Sequence, residues 1–267
     1  MVAAPLPASS FIGLAAHPIR WGLLTELAQS DRHVSELTHL LGQPQALVSY
    51  HLGRLRDGGL VDSRRSAHDG RASYYRLDLQ RCGDALSATG SSLHPGLTLR
   101  LEPPAAPQRG RVHRTRVLFA CTGNGARSQM AEALLQHRAG DRVDVVSGGS
   151  HPKPIHPNAV RALAERGIDI GDRQSKPLTR FDGQHFDHIV TLCDRVREAC
   201  PEFSGRPQAI HWSIADPSRA AGGNRATYPI FRDLASELDT RISFLTALID
   251  HPPQEATRHV RPRHAHH

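Results

Sequence analysis

The first part of the chain carries the apolar pattern of short amphipathic helices. One predicted helix presents a single apolar face, at Ile19, Leu23, Leu24 and Leu27. A second helix covers residues 34–41 and ends at Gly42, and a third opens at Gln43-Pro44 and stops at Gly58-Gly59. Two short helices joined by a tight turn that contains glycine predict a helix-turn-helix.

Two short strands are predicted after these helices. They cover residues 60–65 and 72–77, and the turn between them contains Asp69-Gly70. The hairpin is rich in arginine, so we expect it to be the wing of a winged helix-turn-helix domain. This mainly helical domain is predicted over residues 1–90.

The second half of the chain alternates short apolar runs with amphipathic stretches. The apolar runs predict four strands, at Arg116–Ala120, Val143–Val146, His188–Leu192 and Ala209–Ser213. The amphipathic stretches predict helices at Ser128–His137, Asn158–Arg166 and Ile230–Ile249. Near-continuous apolar strands separated by helices predict an α/β domain with a parallel sheet covered on both faces, here over residues 115–250.

The stretch between the two halves has no sustained periodicity. It contains Pro95, Pro103, Pro104 and Pro107, which favours a linker, or a short domain-terminal segment, over residues 91–114. The tail over residues 251–267 is rich in Arg, Pro and His and is predicted to be disordered. We read its closing histidines as a frayed terminus and expect no metal site.

Composition narrows the class of protein. The 267 residues suffice for two domains, and no apolar run is long enough to predict a membrane span. Four cysteines in such a chain do not indicate a secreted disulfide scaffold, so we expect a cytoplasmic protein with free thiols. The net charge of +7 permits nucleic-acid binding without requiring it.

The segment Cys121–Ser128 follows an apolar strand and precedes a helix, an arrangement that predicts an oxyanion cradle. A helix N-terminus beside an arginine stabilises a thiolate, so Cys121 is the expected nucleophile. The Arg127 guanidinium matches two oxygens of a tetrahedral anion, and Ser128 is placed to donate to the sulfur. The residues expected to surround the anion are Thr122, Gly123, Asn124, Gly125, Ala126 and Arg127.

This half resembles the low-molecular-weight tyrosine phosphatases (a phosphatase I-like fold), and within them the thioredoxin-coupled arsenate reductases. The resemblance rests on four segments of the sequence. They are the run from Val117 to Ala133, residues 147–150, Thr191-Leu192-Cys193-Asp194 and Asp216-Pro217. The family usually has serine at the position of Gly125. This departure removes a hydroxyl near the loop, so we expect an effect on rate.

The resemblance implies a thiol relay that reduces arsenate to arsenite. Cys121 attacks arsenate, Asp216 protonates the departing oxygen, and Cys193 and then Cys200 carry the disulfide away from the cradle. The implied partner is a thioredoxin-type dithiol, with no bound cofactor. Thiols seven positions apart on a helix lie ~10 Å apart, so forming a Cys193–Cys200 disulfide would require this segment to unwind.

Two other readings of this half remain open. A phosphatase would use the same cradle, although Ser218 stands after Pro217 where phosphatases usually have an aromatic residue. A regulator could instead use the domain as an idle oxyanion sensor. The presence of two further thiols, Cys193 and Cys200, favours the reductase, because reduction needs two more electrons whereas hydrolysis of a phospho-cysteine needs only water.

Residues 9–80 resemble the ArsR-type winged-helix repressors, through His17–Arg20, Val48–Leu52 and Leu55–Val61. The resemblance implies a homodimer that binds operator DNA. Its expected contacts are Gln45, Ser49, Tyr50, His51 and Arg54 on the recognition helix and Arg64, Arg65 and Arg71 on the wing. The cysteine pair of the arsenic-sensing members is missing from residues 34–39, and Cys82 is expected to be a small buried residue. Any sensing by this half, and any coupling to catalysis, is left open.

Overall fold

The computed structural model describes residues 8–97, 114–199 and 207–250. In the first of these ranges five helices surround a small antiparallel sheet of order β1-β3-β2. The helices are α1 (Ala8–Ala15), α2 (Pro18–Gln29), α3 (Val34–Leu41), α4 (Gln45–Asp57) and α5 (Leu79–Leu93). The strands are β1 (Arg32–His33), β2 (Val61–Arg65) and β3 (Ser73–Leu77).

Local signals account for the helix-turn-helix formed by α3 and α4. The Glu36 carboxylate accepts the His33 N–H at 2.8 Å and so caps the start of α3. Gly42 ends this helix with φ of 61°, a left-handed conformation that glycine adopts without strain. Leu37 and Leu52 are fully buried between the two helices and the rest of the domain. The predicted winged helix-turn-helix is thereby confirmed.

Two helices of this domain are not predicted by the sequence pattern. Helix α1 contributes Phe11 and Ala15 to the core, and α5 contributes Ala85. Helix α5 also continues to Leu93, into the segment that was expected to be a linker. Residues 98–113, where the rest of that segment falls, lie outside the described residues, as does the predicted disordered tail.

The second domain contains a four-stranded parallel sheet, as predicted, and its strand order is β5-β4-β6-β7. Its strands are β4 (Thr115–Cys121), β5 (Val143–Gly149), β6 (His188–Thr191) and β7 (Gln208–His211). Its helices are α6 (Arg127–Ala139), α7 (Pro157–Ala164), α8 (Asp194–Ala199) and α9 (Asn224–Asp250). The core lies on both faces of the sheet and includes Phe119, Met130 and Phe231. Among the described helices, none is long and apolar enough to cross a membrane.

The edge strand β7 is covered by the first domain. The Asp31 N–H donates to the His211 carbonyl at 2.8 Å, and the His211 N–H donates to the Ser30 hydroxyl at 2.9 Å. The Ser213 N–H donates to the Asp31 carboxylate at 2.7 Å, so the predicted strand Ala209–Ser213 stops at His211. Arg241 of α9 pairs with the same carboxylate at 3.1 Å. These bonds fix the two domains against each other and protect an open sheet edge.

Candidate active site

The cradle lies at the carboxyl end of β4, between the ends of its neighbours β5 and β6. Strand β4 is buried along most of its length, which fixes Cys121 at its last position. The chain then passes through residues 122–126 and enters α6 at Arg127. A loop between a central parallel strand and a helix N-terminus is where open α/β sheets bind anions.

The Cys121 thiol receives hydrogen bonds inside the cradle. Its sulfur lies 2.9 Å from the Ser128 hydroxyl oxygen, and the Asn124 N–H donates to it at 3.2 Å. The side chain is almost fully buried. Donors aimed at sulfur stabilise a thiolate, which is the nucleophilic form of cysteine.

Asn124 holds the loop in shape from inside the protein. Its φ of 45° is positive, and no other non-glycine residue in the described ranges has a positive φ. The side-chain amide donates to Ser128 at 2.9 Å and Ser147 at 2.7 Å. The amide oxygen accepts from Gln129 at 3.0 Å and from the Lys176 N–H at 2.7 Å. The residue at this position must therefore tolerate a left-handed backbone conformation, and its side chain must make four hydrogen bonds.

Gly125 packs tightly under the segment that follows β5. A Cβ atom at this position would lie 2.6 Å from the carbonyl oxygen of Pro154. The Gly125 carbonyl also accepts the His156 N–H at 2.8 Å, which holds the two backbones together. In this arrangement of the two backbones, any side chain at position 125, a serine included, would clash with the Pro154 carbonyl.

Arg127 is held so that its guanidinium reaches the cradle. It is 5% exposed and donates to the Ile214 carbonyl at 2.9 Å, and it pairs with Asp216 at 3.1 Å. Burial raises the pKa of Asp216, but the Arg127 charge and hydrogen bonds from Ser218 outweigh it and leave the pKa below its ordinary value. The carboxylate expected to act as the acid is therefore ionised in this pairing.

Cys193 faces the same cavity as Cys121. It follows β6 and is buried, and its sulfur lies 3.3 Å from the Thr122 hydroxyl. Burial raises the pKa of the Cys193 thiol, and the nearby Arg127 charge and the Thr122 hydroxyl oppose that rise. Helix α8 begins at the next residue. Cys200 lies outside the described residues.

The cavity has a volume of about 680 Å³ and a basic rim. The rim was not predicted from the sequence, and it includes His151, Lys153, His156, Arg195 and Arg219. A signal was available, since the chain has only two lysines and Lys153 is one of them. Arg64 and Ala67 of the N-terminal domain also line this cavity. Positive groups around a cleft favour anionic ligands. The described residues contain no group of three or more His, Cys, Asp or Glu that could hold a metal ion.

The expected recognition helix is α4, and most of the residues assigned to DNA on it are exposed. Gln45, Ser49 and Arg54 face solvent, and Tyr50 is 61% exposed. His51 corrects the prediction: it is 4% exposed, and its ring centroid lies 4.2 Å from that of His17. Burial lowers the pKa of His51, so its ring is a neutral part of the domain core.

The wing also departs from the expectation at one position. Arg65 and Arg71 are exposed, but Arg64 turns towards the second domain. Its guanidinium donates to Asp194 at 3.2 Å and to the Ser213 hydroxyl at 2.5 Å. Arg64 is therefore engaged by the protein and is not free for a DNA phosphate in this arrangement.

Comparison with known families places both domains. The model of the low molecular weight phosphotyrosine protein phosphatase family matches residues 116–254, more than half of the chain. The chain belongs to this phosphatase family. The model of the MarR family matches residues 17–72. The regulator family that this comparison supports is MarR, and the ArsR subtype stays a prediction.

Curated relatives of the phosphatase-family domain include arsenate reductases. That of Halalkalibacterium halodurans is 37% identical over 126 residues, which are 47% of this chain and 91% of that protein. That of Brevibacillus brevis is 38% identical over 126 residues, 47% of this chain and 90% of that protein. A solved arsenate reductase in a phosphate-binding state is 27% identical, covers 51% of this chain and 98% of that one, and has a TM-score of 0.42.

Proposed function

We propose that this chain is an arsenate reductase joined to a DNA-binding regulator domain. The observation that carries the reductase proposal is the placement of two thiols, Cys121 and Cys193, on one cavity, with the Thr122 hydroxyl 3.3 Å from the Cys193 sulfur. A phosphatase needs only the first thiol, because water can hydrolyse a phospho-cysteine. The identity to curated arsenate reductases supports the same choice.

The proposed first step is attack of the Cys121 thiolate on arsenic. An S–As bond forms, one arsenate oxygen departs as water, and Arg127 and the loop amides hold the remaining oxygens. The anion takes over donors of Arg127 that now face Asp216. Release from that pairing allows the Asp216 carboxyl to carry the proton that the departing oxygen needs.

The proposed second step is the reduction itself. The Cys193 thiolate attacks the Cys121 sulfur, the S–S bond forms, and the electrons of the S–As bond stay with arsenic, which leaves as arsenite. Two thiols are oxidised and As(V) becomes As(III), so electrons balance. Cys200 then attacks Cys193 and frees Cys121, and a thioredoxin-type dithiol reduces the Cys193–Cys200 disulfide. This chemistry needs a reducing compartment, so we propose a cytoplasmic location.

The test is steady-state turnover of arsenate with thioredoxin, thioredoxin reductase and NADPH. Cys193→Ser and Cys200→Ser are expected to lose multiple turnover but to keep slow aryl-phosphate hydrolysis at Cys121. Cys82→Ser is the matched control, since this thiol packs in the other domain and burial raises its pKa to about 12. Full turnover in either relay variant would refute the relay. Efficient hydrolysis with no arsenate turnover in the wild type would favour the phosphatase, and neither activity would favour the oxyanion sensor.

We propose that the N-terminal domain binds operator DNA as a homodimer. The exposed side chains of Gln45, Ser49, Tyr50 and Arg54 on α4 support base contact, and the exposed Arg65 and Arg71 support phosphate contact. Fluorescence anisotropy with the chain's own promoter and with unrelated DNA tests this. Tyr50→Ala is expected to lower affinity for the promoter by about tenfold while leaving unrelated DNA little changed. Arg180→Ala, on the second domain, is the control, and equal affinity for both DNAs in the wild type would refute specific binding.

A further inference from the structure

A buried carboxylate joins the wing to the second thiol of the site. Asp194 is 0% exposed and directly follows Cys193 in the chain. Within its own domain it accepts from the Ser213 hydroxyl at 2.7 Å and lies 3.2 Å from His211 Nε2. A carboxylate removed from water in this way requires further donors.

The wing supplies those donors. The Ala67 N–H donates to Asp194 at 2.6 Å, and the Arg64 guanidinium lies 3.2 Å and 3.3 Å from its two oxygens. Burial raises the pKa of Asp194, but the hydrogen bonds from His211, Ala67 and Ser213 and the Arg64 charge hold it well below its ordinary value. The group is a carboxylate whose charge is balanced from the other domain.

The contact between Arg64 and Asp194 is connected to both loops that border the cavity. Cys193 precedes Asp194, so the carboxylate fixes the backbone that carries the thiol. Arg64 also donates to the Ser213 carbonyl at 3.1 Å, and the next carbonyl along the chain, that of Ile214, holds Arg127. One guanidinium therefore fastens the loops on both sides of the cavity.

Helix α8 is held by the same domain. Arg197 pairs with Glu36 of α3 at 2.7 Å, and Glu198 lies 3.5 Å from His68 beside the wing. Three charged side chains of this six-residue helix, those of Asp194, Arg197 and Glu198, therefore contact the N-terminal domain. The start of α8, and the thiol before it, cannot move without breaking these bonds.

We propose that Arg64, together with the Ala67 amide, is a positioning residue of the reductase site that holds the Asp194 loop so that the Cys193 thiol faces Cys121. The inference rests on the proposed reductase function. It assigns to a side chain of the DNA-binding domain a part in the second chemical step.

The effect of Arg64 on the two steps should differ. Without Arg64, Asp194 loses its guanidinium partner and keeps only the hydrogen bonds of Ala67, Ser213 and His211. Its negative charge is then less well balanced beside Cys193 and disfavours the Cys193 thiolate. Attack on the Cys121 sulfur requires that thiolate, whereas attack by Cys121 on an oxyanion does not. A rise of one unit in the pKa of Cys193 would lower its thiolate fraction about tenfold. Removal of Arg64 should therefore slow disulfide formation selectively.

The experiment measures the two steps separately in the full-length chain. Cys200→Ser stops the reaction at the Cys121–Cys193 disulfide, whose formation with arsenate is followed by rapid quench, alkylation and mass spectrometry. Hydrolysis of 4-nitrophenyl phosphate reports the Cys121 step. Arg64→Ala is compared with Arg64→Lys, which keeps the charge, and with Arg56→Ala, which removes an exposed arginine of the same domain.

A second readout does not depend on arsenate. Iodoacetamide alkylation of Cys193 across pH, in a Cys121→Ser background, gives the midpoint of its ionisation. We expect Arg64→Ala to raise this midpoint by about one unit and to slow disulfide formation about tenfold more than it slows hydrolysis. Arg64→Lys should recover part of both effects, and Arg56→Ala should match the wild type.

The outcomes separate the two proposals. Equal disulfide rates and alkylation midpoints in Arg64→Ala and Arg56→Ala would overturn the positioning role. A parallel loss of hydrolysis and disulfide formation that Arg64→Lys does not recover would also overturn it, because it would mark a general structural fault. A wild-type chain that forms no disulfide with arsenate, but whose Cys193 midpoint still depends on Arg64, would remove the proposed function and leave the positioning intact.

Discussion

Replacement of Asn124 tests whether one buried side chain builds the oxyanion cradle. Asn124→Ala removes four hydrogen bonds, to Ser128, Ser147, Gln129 and the Lys176 N–H. Each contributes about 1 kcal/mol net, and the left-handed backbone at φ of 45° costs alanine about 1 kcal/mol more than asparagine. Water that enters the space left by the Asn124 side chain can replace some of these hydrogen bonds and so reduces the loss of stability. We expect the free energy of unfolding to fall by about 3–5 kcal/mol, a large share of the total for a domain of this size.

The measurement is guanidinium unfolding followed by the fluorescence of the buried Trp212. A Trp21→Phe background removes the second tryptophan, which lies in the other domain. Asn124→Gly is the matched variant, since it loses the same hydrogen bonds but accepts the left-handed backbone. It should be about 1 kcal/mol more stable than Asn124→Ala.

The same variants should weaken the nucleophile. The Ser128 hydroxyl lies 2.9 Å from the Cys121 sulfur and is oriented by the Asn124 amide, so both variants should slow alkylation of Cys121 at neutral pH. An Asn124→Ala chain within about 1 kcal/mol of the wild type would refute the hydrogen-bond argument. A glycine variant less stable than the alanine variant would refute the backbone argument.

Three further perturbations follow from contacts described above. Gly125→Ser forces a Cβ to within 2.6 Å of a carbonyl oxygen, and it should cost about 1–3 kcal/mol of stability in denaturant titration and lower the turnover rate. Arg241→Ala leaves the buried Asp31 carboxylate uncompensated and should cost about 3–5 kcal/mol, whereas Arg138→Ala breaks an exposed pair and should cost under about 1 kcal/mol. Because the pKa of Asp194 is lowered on folding, its stabilisation is present above about pH 4 and is lost as the pH falls through the folded value, so Asp194→Asn should flatten the acid limb of a stability–pH curve.

Each of these has a clear contrary result. A serine variant at position 125 as stable and active as the wild type would mean that the Pro154 segment shifts without cost. Equal losses for Arg241→Ala and Arg138→Ala would mean that burial does not decide the value of the pair. An unchanged acid limb in Asp194→Asn would show that other carboxylates dominate acid unfolding.

The cradle could be predicted from the sequence because it is local. Residues 121–128 are contiguous, and an apolar run before them and a helical pattern after them fix both ends of the loop. Cys121 and Ser128, which are in contact, are only seven positions apart, so the sequence motif itself indicates that these side chains meet. The parallel sheet could be predicted for a similar reason, since its strands are apolar on both faces.

The misplaced residues were those whose surroundings depend on distant chain. His51 lies three positions after Val48 and four before Leu55, so the helical period already puts it on the core face; the match to a DNA-binding motif outweighed that period. Arg64 meets Asp194 across 130 positions, and no local pattern records such a partner. An arginine on a wing looks the same in sequence whether it faces DNA or a neighbouring domain.

The buried carboxylate under the wing also bears on how separable the two halves are. Excision of residues 115–250 would expose Asp194 to water and strip it of the Arg64 and Ala67 donors. It would equally leave Arg241 without Asp31 and the edge strand β7 without its cover. The two domains therefore depend on each other's contacts and cannot be exchanged independently. If DNA binding were lost in evolution, the recognition helix α4 could change, but the hairpin of β2 and β3 would have to be kept. A transfer of the reductase domain to another protein would likewise have to include this hairpin.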